Sequence, residues 1–166
     1  LSDLEVRNCL MIMTNKAFYE FVMELNRDAN FQSCLPITDR KADEQYRVEL
    51  LLRLLITQSV DWDSINNYSD FSELLDKETI CLCRADLDTD DIRERFVSTF
   101  QLLYGVLGED SFKKYSGQKR LGPVMAAVFQ IIATGVFKNI NDIISLPNRD
   151  EWLLEKANSV FETDEY

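Results

Sequence analysis

The 166-residue chain has no histidine, and it has only five glycines and three prolines. The missing histidine excludes a Ser-His-Asp or Cys-His nucleophile, a histidine-held metal nuclease centre and a histidine proton shuttle. The scarcity of turn formers argues against many short strands and for long helices. Basic residues are in deficit: 18 Lys+Arg stand against 29 Asp+Glu, a formal charge of −11. A phosphate-binding footprint spread over the whole chain is therefore excluded, since it needs clustered cations. There is no Gly-x-Gly-x-x-Gly and no Gly-Lys-Ser/Thr phosphate loop. Cys81-Leu82-Cys83 places one residue between thiols, where zinc knuckles and redox pairs have two. The four cysteines read as free thiols of a reducing compartment, so the expected location is the cytoplasm. The sequon Asn67-Tyr68-Ser69 then carries no glycan. No metal and no cofactor is expected.

What is present is a chain 46% hydrophobic and 28% charged, able to bury a core. The apolar spacing is helical nearly throughout. Ser2 and Glu5 make a capping box, and Val6, Cys9, Leu10 and Met13 lie at i, i+3, i+4 and i+7 on one face of the helix that follows. An exposed apolar face on this first helix would mark an interface to another domain. Asn15 caps a second helix carrying Phe18, Phe21, Val22 and Leu25. Residues 30–36 read as a connection closed by Pro36. A central helix runs from about Ala42 to Gln58, apolar on two sides, with Glu49 and Arg53 as an i,i+4 pair. Residues 61–67 read as a loop, and Ser69 as the cap of a helix carrying Phe71, Leu74 and Leu75. The spacing leaves Ile80–Leu82 open between helix and extended chain.

Asp86–Asp91 resembles the opening of a calcium loop, but Asp91 stands where glycine is required and Val97 where a bidentate glutamate is required. The acidic residues fit better as the start of a helix capped by Thr89, with Ile92, Phe96, Phe100, Leu103 and Leu107 on its core face, ended by Gly108. A short helix over 109–115 is expected next. Leu121–Phe137 is uncharged but shorter than a membrane span, and it reads as a buried helix with Pro123 in its first turn; no membrane contact is expected. Asn139 caps a short helix ended by Pro147, and a last helix carries Trp152, Leu153, Ala157, Val160 and Phe161. The expected fold is all-α: a single irregular bundle of about eight to ten helices over residues 1–161, with an acidic tail, 162–166, that frays.

One cluster is basic. Lys113, Lys114, Lys119 and Arg120 put four cations within eight residues, a candidate phosphate or nucleic-acid contact. A solvated loop that offsets an acidic surface explains the same residues.

Leu1-Ser2-Asp3-Leu4-Glu5-Val6-Arg7-Asn8 resembles the segment that opens the helical part of the GmrSD-like proteins, domain-of-unknown-function family 262. Asn15–Leu25 resembles that family's second helix, Glu49–Leu55 its Glu-x-x-Leu-Arg-x-Leu helix, and Leu107–Lys114 its Gly-x-x-x-Phe-Arg/Lys turn. The small-residue-rich helix that follows that turn matches Met125–Ala133. The matches run in order over residues 1–137. Arg47 departs from the family's usual Asp. The family's Asp-Gly-Gln-Gln-Arg stretch lies upstream of the matched part, its His-Asn-His nuclease domain downstream, and neither is in this sequence. The resemblance implies a piece of a longer bacterial restriction or anti-phage protein: a non-catalytic helical accessory domain. Its implied partner is the N-terminal nucleotide- and DNA-processing domain of its own parent chain, and through that parent DNA. Residues matched to the family are Arg7, Asn8, Glu49, Arg53, Phe112 and Lys113; Arg7 and Asn8 are candidates for interdomain contact, and no residue is assigned a catalytic role. Two other readings stay open: a self-contained acidic all-α protein-interaction module, and a helical nucleic-acid-binding domain using the Lys113–Arg120 cluster.

Overall fold

The computed structural model describes residues 2–38, 45–59 and 71–161. Within them the chain forms eight α-helices, one 3₁₀ turn and a two-stranded hairpin. The helices are α1 (Asp3–Thr14), α2 (Lys16–Asn26), α3 (Ala29–Cys34), α4 (Tyr46–Ser59), α5 (Phe71–Arg84), α6 (Thr89–Leu107), α7 (Ala126–Ile144) and α8 (Arg149–Ser159). The fold is all-α, as the helical spacing predicts. Helix α4 starts at Tyr46 and not at Ala42, because Gln45 before it turns with a φ of +55°; the loop 61–67, the cap at Ser69 and the tail 162–166 lie outside the described residues.

Local chemistry explains the boundaries. Ser2 and Glu5 form the capping box on α1, and the Asn15 side chain accepts from the Phe18 amide at 3.1 Å to start α2. Most of the connection expected over 30–36 is instead helix α3, which ends at Cys34. Asp28 accepts from the Phe31 amide at 2.8 Å, and burial of Phe31 and Cys34 holds the extra turn. Residues 80–82 continue α5. The cap of α6 is Asp88, not Thr89: its carboxylate accepts from the Asp91 amide at 3.0 Å, one residue earlier than expected.

After Gly108, whose φ is +61°, the expected helix over 109–115 does not form. A 3₁₀ turn, Gly108–Asp110, is closed by Ser111, whose hydroxyl donates to the Gly108 carbonyl at 2.6 Å. The chain then turns into the hairpin β1 (Lys114–Tyr115) and β2 (Arg120–Leu121), antiparallel with Tyr115 opposite Arg120. Helix α7 begins at Ala126, so Pro123 lies before it rather than in its first turn. Asn139 does not start a new helix. It kinks α7, with φ −113° and ψ 16°, and its side-chain amide donates to the Gly135 carbonyl at 2.8 Å.

The core is a ladder of aromatic rings. Phe31 of α3 meets Phe100 of α6 edge-on at 4.8 Å and Phe96 at 5.2 Å. Phe129 of α7 stacks on Phe100 at 6.3 Å and meets Phe112 edge-on at 4.8 Å. Such pairs add roughly 0.5–1.5 kcal/mol each beyond area burial. Helix α4, apolar on two sides, lies against α2, α5 and α7, and its Thr57 hydroxyl meets that of Thr134 at 3.2 Å.

Gly135 sits in the interior of α7, where glycine costs about 1 kcal/mol against alanine. A Cβ there would meet nothing within 4 Å. Gly135→Ala should therefore raise stability by about 0.5–1 kcal/mol, read from urea unfolding at unchanged slope. A loss of stability would show that the glycine is required for packing.

Candidate functional site

Arg7, a candidate for contact outside the chain, is 2% exposed. Its buried side of α1 meets α4 and α5. Nε donates to Asp76 at 2.7 Å, one terminal nitrogen donates to the Ser72 hydroxyl at 2.8 Å, and the other stands 3.9 Å from Glu49. Ser72 in turn donates to Asp3 at 2.9 Å. Glu49 also pairs with Arg53, whose guanidinium lies 5.1 Å from the centre of the Phe71 ring. Three helices are thus joined by one polar seam, and the guanidinium is occupied within the chain. Asn8 is 8% exposed and donates to Gln45 at 2.7 Å. Arg47, the departure from the family pattern, donates to the Leu35 carbonyl at 2.9 and 3.2 Å and so closes the end of α3.

The basic cluster divides in two. Arg120 turns under the hairpin, donating to the backbone carbonyls of Ser111 and Lys113 at 3.1 and 3.3 Å and to Asn158 of α8 at 2.9 Å. Burial pulls its pKa below the ordinary arginine value, yet a guanidinium stays protonated at any working pH. Lys113 is tied to Asp110 at 2.6 Å. Lys114 and Lys119 remain exposed on the hairpin, whose turn is held by the Tyr115 hydroxyl donating to the Gly117 carbonyl at 2.9 Å. Phe112, matched to the family turn, is fully buried against Phe129.

The outer face of α1 is the unexpected feature. Its core side is formed by Leu4, Arg7, Asn8 and Met11. Of the regular stripe Val6, Cys9, Leu10 and Met13, Leu10 is half-buried and the other three point outward: Val6 is 37% exposed, Met13 85% and the neighbouring Ile12 45%. Beside the apolar Leu4 and Met11 the inner face carries a guanidinium and an amide, while the most regular apolar spacing lies outside.

Two further surfaces are not visible in sequence motifs. An apolar cleft of about 460 Å³ lies between α7 and α8, lined by Ile131, Val136, Ile143, Trp152 and Leu153 among others. A pocket of about 510 Å³ lies beside the start of α1, lined by Glu5, Asn8, Tyr46 and Glu49. Among the described residues no group of three His, Cys, Asp or Glu is placed to hold a metal ion, and no helix is long and apolar enough to cross a membrane. No protein-family model, curated protein or solved structure matches the chain.

Cys34 and Cys83 are buried while Cys9 and Cys81 are exposed. Burial pushes the Cys34 thiol up to about 11 and raises that of Cys83. A disulfide-exchange reagent at pH 8 should thus titrate two thiols quickly and two only as fast as the protein unfolds, since the thiolate is the reacting form. Four equally fast thiols would contradict this packing. Arg7→Ala and Arg120→Ala should each lower stability by about 2–3 kcal/mol in urea unfolding, because charged hydrogen bonds are lost and their acceptors left without donors. Lys114→Ala should change it by less than about 0.5 kcal/mol.

Proposed function

We propose that the chain is a non-catalytic helical accessory domain that docks through α1 onto another folded unit. The single observation behind this reading is the outward stripe Val6, Cys9, Met13 on a helix whose inner Arg7 is already bonded within the chain. Contiguous exposed apolar faces of this kind belong to interaction surfaces. The resemblance of Leu1–Asn8 to the opening of the helical part of GmrSD-like proteins names the partner: the N-terminal nucleotide- and DNA-processing domain of a bacterial restriction or anti-phage protein. In this reading Arg7 and Asn8 act indirectly. They fix the pitch of α1 from inside, so that its outer stripe meets the partner.

A nucleic-acid contact is the second reading. It rests on Lys114 and Lys119, the two cations that the hairpin leaves exposed in a chain of net charge −11.

The first reading is tested in the intact parent protein and with the separated domains. Val6→Glu and Met13→Glu place charges on the stripe without touching the core. Each should weaken association with the N-terminal domain at least tenfold, about 1.4 kcal/mol, while the helical circular dichroism of the isolated chain is unchanged. The isolated chain should neither hydrolyse nucleoside triphosphates nor cleave DNA. Unaltered association in both variants, or turnover by the purified chain, would overturn the reading.

A further inference from the structure

We draw no further inference here: the strongest candidate, the acidic pocket beside the start of α1 where Asp3, Glu5, Asn8 and Glu49 meet, carries nothing, because its carboxylates are already bonded within the chain to Ser72, Ser2 and Arg53, and the one acceptor there without a donor, Asn8 Oδ1, is itself buried out of reach of a ligand.

Discussion

The packing of Phe31, Phe96, Phe100, Phe112 and Phe129 is the constraint on which the other elements depend. These rings come from α3, α6, the turn after it and α7, with centroids 4.6–6.5 Å apart in the closest pairs. Aromatic rings hold one another in offset and edge-on geometries, so the cluster sets orientation as well as distance. It makes α3 a helix rather than a connection, because Phe31 must reach Phe96 and Phe100. It also breaks the chain after Gly108, because Phe112 must turn back onto Phe129. The hairpin follows from that reversal, and so does the place where α7 starts.

Around this apolar centre the arginines are used inward. Arg7 spans three helices and Arg120 clamps the hairpin to α8, each through a fork of donors that a lysine could not supply. Arg47 closes α3. A chain already short of cations spends several of them on backbone carbonyls and internal carboxylates. What it turns outward on α1 includes the apolar side chains of Val6, Ile12 and Met13. The polar seam on the inner face of that helix and the stripe on its outer face are two sides of one arrangement, in which the seam fixes how the stripe is presented.

Much of this architecture was legible in the residues. Ser2, Glu5 and Asn15 announce the first two helices because capping depends on a few neighbouring atoms. The core face of α6 follows from a clean spacing of Ile92, Phe96, Phe100 and Leu103. The direction of α1 was not legible, since spacing identifies a face but not whether it points to the core. Arg7 goes inside only because Asp76, Ser72 and Glu49, far away in sequence, meet it there. The division of the basic cluster was hidden for the same reason. Four neighbouring cations read as one patch, yet Arg120 and Lys113 find partners once Asn158 and Asp110 are in place. The cleft between α7 and α8 was invisible because it belongs to the space between two elements.

Helices α1 and α5 run side by side in the same direction: Asp3 meets Ser72, Arg7 meets Asp76, and Asn15 donates to the Cys83 carbonyl. Each of these contacts joins positions 68 or 69 apart. Closing so long a segment costs chain entropy before any of the seam's bonds form, whereas α6 and α7 meet through a short hairpin. The contacts that hold α1 on α5 are therefore among the more costly of the fold in chain entropy, while those with the adjacent α2 are local. A partner on the outer stripe of α1 would also hold the helix in the orientation that the seam sets, and so would support the same long-range closure.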